Sequence, residues 1–215
     1  IDAALPVLVN AIIQNGGQTC SAGSRILIET PVYERVATAL AERFSALVAG
    51  PHQADLDLGP MINARQRERV TGFIDAAQEA GVPVLARGTV SPDAPDGGYY
   101  AAPALFGSVD PGAAIAQEEV FGPVLVVISY TDDDDAVRIA NNSIYGLSGA
   151  VFGSPERAKA VARRIRTGTF SINGGNYFSP DSPFGGYKQS GIGREMGKAG
   201  LEEFLESKTL AEVVS

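Results

Sequence analysis

The chain has 215 residues, 45% of them apolar and 20% charged, with a net charge of −8, 25 glycines, 13 prolines and one cysteine. That length suits one domain with a sizeable core, and the acidic balance argues against a nucleic-acid footprint, which needs clustered Lys and Arg. A single cysteine excludes an intrachain disulfide framework and fits a reducing, cytoplasmic setting, while the absence of a long apolar run or a visible signal peptide argues against membrane insertion.

The first residues, Ile1-Asp2-Ala3, carry no Met and suggest a piece of a longer protein. Apolar Leu5, Leu8, Val9, Ile12 and Ile13 predict a helix from Asp2, as N-cap, to about Gln14. Pro6 falls near its start, where proline is tolerated. A glycine-rich loop follows, then a strand over about Arg25 to Glu29. Thr30-Pro31 has the form of a cap and first helical residue. Val32, Val36, Leu40, Phe44 and Leu47 then share one helical face, and Gly50-Pro51 stops that helix. His52 to Ile62 is expected as loop.

Asn63 opens the next helix, with Gln66 as its capping-box partner. Val70, Phe73, Ile74 and Ala77 form the apolar face, and Gly81 ends it. A short strand is expected over Val82 to Ala86, then a turn-rich excursion from Gly88 to Gly98. The continuous apolar run Val124 to Tyr130 predicts a strand buried on both faces. Thr131 is expected to cap a helix whose first turn is Asp132 to Asp135. Those carboxylates oppose the helix dipole there, which explains them without a metal.

Further on, Ser148 to Phe152 and Thr169 to Asn173 are expected strands. Between them a helix opens at Ser154-Pro155-Glu156, turns Ala158, Val161, Ala162 and Ile165 inward, and ends at Gly168. A glycine-rich stretch from Gly174 to Gly193 leads to a last helix near Glu195 to Leu205 and a strand-like tail, Thr209 to Val214. Alternating strands and helices predict an α/β fold: a mostly parallel twisted sheet with helices on both faces.

The chemistry centres on Gly16-Gly17-Gln18-Thr19-Cys20-Ser21-Ala22-Gly23-Ser24. A lone cysteine is usually a small buried hydrophobe, but these small polar neighbours cannot pack as a core. Glycines allow close approach to a thiol in such a loop. A Cys-His hydrolase would need a base, and the only histidine is His52, in a Gly-Pro-His turn. One Cys and one His provide no ligand cluster at metal spacing. Gly191 to Gly197 looks superficially like a dinucleotide fingerprint, but its spacing is one residue too long and no strand precedes it.

Four stretches, in order, resemble the NAD(P)-dependent aldehyde dehydrogenase superfamily. They are Gly17-Gln18-Thr19-Cys20, Glu118-Glu119-Val120-Phe121-Gly122-Pro123-Val124, Asn141-Asn142-Ser143-Ile144-Tyr145-Gly146-Leu147, and Pro183-Phe184-Gly185-Gly186-Tyr187-Lys188-Gln189-Ser190-Gly191. The resemblance covers essentially the whole chain. It implies that Cys20 is the nucleophile, passing through a thiohemiacetal and a thioester, with its backbone N–H in the oxyanion hole. It implies NAD or NADP as cofactor, with Glu119 on the nicotinamide ribose, Phe121 beside the nicotinamide, and Gln66 and Arg69 on other parts of the cofactor. Asn173, Phe178 and Phe184 fall near the aldehyde substrate. Gln14 stands where many relatives carry an aromatic, and Glu195 matches a carboxylate linked in some members to proton relay or structure.

The resemblance also implies what is missing. The family's cofactor-binding domain, the general-base glutamate of its E-L-G-G-K motif and the oxyanion-hole asparagine lie outside this stretch. Residues 1–206 then form the catalytic domain and residues 207–215 a tail strand for oligomerisation. The expected protein is a catalytic portion, largely inactive alone, acting on a small-molecule aldehyde and assembling as a homodimer or homotetramer, with no nucleic acid or membrane partner. A non-catalytic module that kept the scaffold and a thiol hydrolase using Cys20 and His52 remain the alternatives.

Overall fold

A computed structural model of the chain describes residues 1–213. Eight strands and seven α-helices alternate among the described residues, as expected of an α/β chain, except that three short strands follow one another between the third and fourth helices. The first helix, α1, spans Leu5–Ile13. It starts later than Asp2 because residues 1–4 form a turn, with the Ala4 and Leu5 N–H groups on the Ile1 carbonyl. Pro6 thus lies in the first turn, where its missing N–H costs nothing. The cysteine loop leads into β1, Arg25–Glu29.

Helix α2 spans Tyr33–Ala46, after a 3-10 turn over Thr30–Val32. Thr30 does not cap it: its hydroxyl donates instead to the Tyr130 carbonyl (2.8 Å). The helix also ends before Gly50-Pro51, because Val48–Ala49 forms β2, paired in parallel with β4, Thr89–Val90. Between them lie α3, Ala64–Glu79, and β3, Val84–Arg87. β3 starts two residues late because the Val82 N–H closes the end of α3 on the Ala77 carbonyl and Pro83 has no N–H to pair.

Strand β5, Ala104–Phe106, and helix α4, Ala114–Gln117, were not expected from the sequence. β6, Val124–Tyr130, falls where its apolar run placed it. α5, Asp133–Asn141, is capped one residue later than expected. Asp132 accepts from the Asp135 N–H (2.9 Å), and Asp135 accepts in turn from the Thr131 N–H (3.1 Å). β7, Ser148–Val151, α6, Pro155–Ala162, and β8, Thr169–Ile172, follow. The last helix, α7, is only Gly197–Glu202. Residues 205–213 form no strand, and Val214 lies outside the described residues. A strand needs a partner for its N–H and C=O groups, and Leu210 and Val213 lie exposed without one.

The sheet is mixed rather than continuous. Four strands run in the order β1-β6-β5-β3, parallel except where β3 meets β5, while β2-β4 and β7-β8 form separate parallel pairs. β6 is the shared spine, and its alternate side chains feed two cores. Leu125 and Val127 pack with α1 and α2 through Val9, Ile12, Leu40 and Phe44. Val124, Val126 and Ile128 pack with α3, α4 and α5 through Val70, Ile74, Ile115 and Ile139. Helices therefore do cover both faces of this sheet. Each fully buried Leu, Ile or Phe contributes about 1.5–3 kcal/mol, so the two layers dominate stability.

The α6 unit is joined to this body mainly by polar contacts. Arg157 bridges Glu29 (2.8 Å) and Asp133 (2.7 Å), and Arg164 pairs with Asp134 (2.6 Å). The aspartate run thus serves as a cap and as a docking edge. No helix among the described residues is long and apolar enough to cross a membrane.

Candidate active site

Cys20 lies exposed in the loop between α1 and β1. The approach to it is conformationally unusual: Asn15, Gly16 and Gly17 all have positive φ (51°, 62° and 74°). Glycine enters that region freely, and Asn more easily than most residues. A Cβ at Gly17 would overlap the Gly122 carbonyl, with Pro123 N 2.8 Å away. A Cβ at Gly122 would in turn overlap Val70 of α3. Two glycines therefore let the cysteine loop and the Glu118–Pro123 segment touch backbone to backbone over one helix.

Gln18 ties the same loop to the start of α3. Its Nε2 donates to the Asn15 carbonyl (3.0 Å) and the Pro60 carbonyl (3.3 Å), and its Oε1 accepts from the Ile62 N–H (2.8 Å). On the other side of Cys20, the Asn176 amide donates to the Ser21 carbonyl (2.9 Å). Among the described residues nothing accepts the backbone N–H of Thr19, Cys20 or Ser21. Sequence reasoning missed Asn176. The only available signal was an amide beside the Gly174-Gly175 pair that follows β8.

The Glu118–Pro123 segment is gripped from α3. Asn63 caps that helix as expected, accepting from the Gln66 N–H (2.9 Å). The reciprocal half of the expected capping box is not made. Gln66 Nε2 donates instead to the Val120 and Phe121 carbonyls (3.1 and 2.7 Å), which buried backbone leaves in need of donors. Arg69 donates to the Glu119 carbonyl (2.7 Å) and lies over the Phe73 ring. Phe121 is half-buried with φ 61°, a strained value for an aromatic residue. The Glu119 side chain is exposed, and no donor among the described residues reaches its carboxylate. Beside these residues a cavity of about 370 Å³ is lined by Ile62, Asn63, Arg65, Gln66 and Arg69.

Phe178 and Phe184 meet, with ring centroids 5.0 Å apart and planes tilted by 52°. Such a tilt is a favourable aromatic arrangement. The Phe184 backbone is fixed by a two-way hydrogen-bond pair with Glu195 (2.7 Å each). Asn173 has both ends of its amide on the Gly153 backbone (2.8 and 2.9 Å), closing the ends of β7 and β8. Gln14 is half-buried and follows the last turn of α1.

The late glycine-rich loop is anchored by Lys188, whose Nζ donates to the Asn141 and Ser143 carbonyls (2.9 and 3.0 Å) at the end of α5. Cations suit a helix C-terminus. Burial, and then the nearby Arg166 and Arg25 charges, hold this amine below its ordinary value. His52 lines a separate cavity of about 260 Å³ with Asn15, Gly16, Asp55 and Asp57. Cys20 does not line it, and no hydrogen bond joins the two among the described residues. No group of three or more His, Cys, Asp and Glu among those residues is placed to hold a metal ion.

The model of the aldehyde dehydrogenase family matches residues 1–210. A Staphylococcus saprophyticus protein provisionally named an aldehyde dehydrogenase is 45% identical over 213 residues, 98% of this chain and 45% of its own length. The structure of a betaine aldehyde dehydrogenase point mutant from Staphylococcus aureus, solved with NAD+ and a BME-modified cysteine, superposes with a TM-score of 0.91. It is 38% identical, over 96% of this chain and 43% of that one. An aldehyde dehydrogenase mutant from Bacillus cereus gives a TM-score of 0.88 at 35% identity, over 95% of this chain and 42% of that one. The chain thus spans under half the length of the relatives it matches.

Proposed function

The chain belongs to the aldehyde dehydrogenase family, and on that premise we propose that it is the catalytic portion of an enzyme oxidising an aldehyde to a carboxylic acid with NAD or NADP. The observation that carries this reading is the backbone contact of Gly17 with Gly122. It supports the reading by bringing the loop that carries the exposed Cys20 against the segment that carries Glu119, whose carboxylate meets no donor among the described residues, and the half-buried Phe121. Those features fit a dinucleotide's ribose hydroxyls and its flat ring.

In this reading the Cys20 thiolate attacks the aldehyde carbon. A C–S bond forms, and the carbonyl electron pair moves to oxygen. The N–H of Cys20, without an acceptor among the described residues, receives that oxyanion, a donor role worth about 3 kcal/mol where the site is preorganised. NAD or NADP, when bound, supplies the hydride acceptor. Cys20 is left holding an acyl thioester, which water cleaves to release the acid and restore the thiol. Glu119 holds the ribose and Phe121 flanks the ring. Gln66 and Arg69 border the cofactor through the segment they grip. Phe178 and Phe184 form an apolar wall for the aldehyde, with Asn173 at the edge of that region. Residues 207–215 serve as an association strand in a homodimer or homotetramer.

The stretch alone is expected to oxidise aldehydes little, since it spans under half the length of its relatives. The test joins it to the portion of the Staphylococcus saprophyticus relative outside the matched stretch. That chimera should form NADH or NADPH from an aldehyde, and its Cys20→Ala form should not. His52→Ala should leave the rate unchanged, whereas a thiol hydrolase would lose it. Full activity in the Cys20→Ala chimera sinks the nucleophile reading.

A further inference from the structure

Cys20 sits between two side-chain amides that bind backbone rather than solvent. Before it run three consecutive residues at positive φ, Asn15, Gly16 and Gly17. Glycine takes such angles freely, but at Asn15 the angle persists only where the surroundings over-determine it. Gln18 supplies that determination, with its side chain on Asn15, Pro60 and Ile62 and its own carbonyl accepting from Asn15 Nδ2 (2.9 Å). After Cys20, Asn176 holds the Ser21 carbonyl from a loop 155 residues away in sequence, and Ser21 is buried. The turn between the two pins closes with the Ala22 N–H on the Thr19 carbonyl (3.0 Å). It leaves the N–H groups of Thr19, Cys20 and Ser21 without acceptors among the described residues.

A helix end or a buried turn needs such bonds for stability alone. The arrangement here does more than satisfy backbone, because both pins bracket the one exposed thiol and the three free donors beside it. We propose that Gln18 and Asn176 are positioning residues for the Cys20 nucleophile, holding the loop so that its sulfur and its free N–H groups face the same bound group. This rests on the reading of Cys20 as nucleophile. It adds which side chains set the geometry of that nucleophile, and neither residue touches the reacting atoms.

The test alkylates the 215-residue chain with iodoacetamide and with iodoacetate, in the parent, Gln18→Met and Asn176→Ala. Both reagents draw on the same thiolate. Their rate ratio therefore cancels its ionised fraction and reports only what surrounds the sulfur. Salt of about 0.15 M screens the overall charge of the chain beyond about 8 Å. Clustered free backbone N–H groups favour an anion. The parent should therefore exceed a peptide of residues 14–24 in its iodoacetate preference several-fold.

Each variant should fall back toward the peptide. A loss of stability alone does not move this ratio in a chain whose circular dichroism and thermal midpoint show it folded. Faster hydrogen exchange at the Ile62 N–H will show that Gln18→Met removed the intended bond. If Gln18→Met does not fold, Asn176→Ala decides, since its side chain makes one bond in the loop rather than three. A parent ratio equal to the peptide's overturns the proposal, as do folded variants that both keep the parent ratio. Neither result bears on whether Cys20 is the nucleophile, which the Cys20→Ala chimera decides separately.

Discussion

Replacing Gly17 by Ala tests whether the contact between the cysteine loop and the Glu118–Pro123 segment is as close as described. Two costs combine at this position. Its φ of 74° is one that L-residues adopt at a cost of about 1–2 kcal/mol. Its new Cβ would also overlap the Gly122 carbonyl, which is backbone and cannot swing aside. Overpacking of this kind costs typically about 1–3 kcal/mol, so Gly17→Ala should lose about 2–5 kcal/mol in all.

Gly81 separates the two terms, because it has nearly the same φ, 77°, and nothing within 4 Å of its would-be Cβ. Gly81→Ala should lose only the conformational part, about 1–2 kcal/mol. Gly16 falls between them: its nearest neighbour is Met61 Cε at 2.9 Å, the mobile end of a side chain. Urea unfolding of the three variants, compared at their midpoints with unchanged slopes, measures the order directly. If Gly17→Ala costs no more than Gly81→Ala, the two loops do not touch as described, and the argument that joins thiol to carboxylate fails with them.

Two further outcomes follow from the polar edge and the tail. Arg157 holds the Asp133 carboxyl below its usual 3.8, first through their hydrogen bond. A depressed carboxylate adds stability that is present above the unfolded value and lost as pH falls through the folded one. Arg157→Met should therefore be less stable than the parent at neutral pH, by under about 1 kcal/mol since these groups are largely exposed. The gap should close below about pH 4 and in high salt; an equal gap at both pH values in urea titrations would refute the assignment. For the tail, light scattering should give a mass above one chain for the intact protein, and deletion of residues 207–215 should lower it. A monomer at high concentration would refute the association role.

The parts of the fold that were legible in the sequence are those decided locally. β6 declared itself because both of its faces are buried over Val124 to Ile128, so every position there must be apolar, and the run ends at the exposed Ser129. Asn63 declared itself because an N-cap acts within three residues. The short strands β2, β4 and β5 had no such signature: runs of two or three residues become strands only because a neighbour pairs with them. Gln66 illustrates the limit from the other side. Its local role as a capping-box partner was reasonable, and two distant carbonyls outcompeted it. For the proposed site, Cys20, Glu119, Phe121 and Phe184 stand in the stretches that carry the resemblance, and Phe178 was read only as a neighbour of Phe184. Asn176 was not legible, because its importance lies in a single contact with the far end of the chain.

That long reach has a consequence for how the protein comes into being. The bonds that shape the Cys20 loop span 44 residues from Gln18 to Ile62 and 155 from Ser21 to Asn176, and the grip of Gln66 on Phe121 spans 55. Contacts so distant require large loops to close first, which makes them slow and late in folding. During synthesis the cysteine emerges well before the loop bearing Asn176, since 155 residues separate Asn176 from Ser21. A nascent or half-folded chain therefore carries an ordinary, unshaped thiol. Its surroundings are completed only once the segment bearing Asn176 has docked, so on the proposed pinning the reactivity of this one sulfur doubles as a report that the stretch from Gln18 to Asn176 has folded.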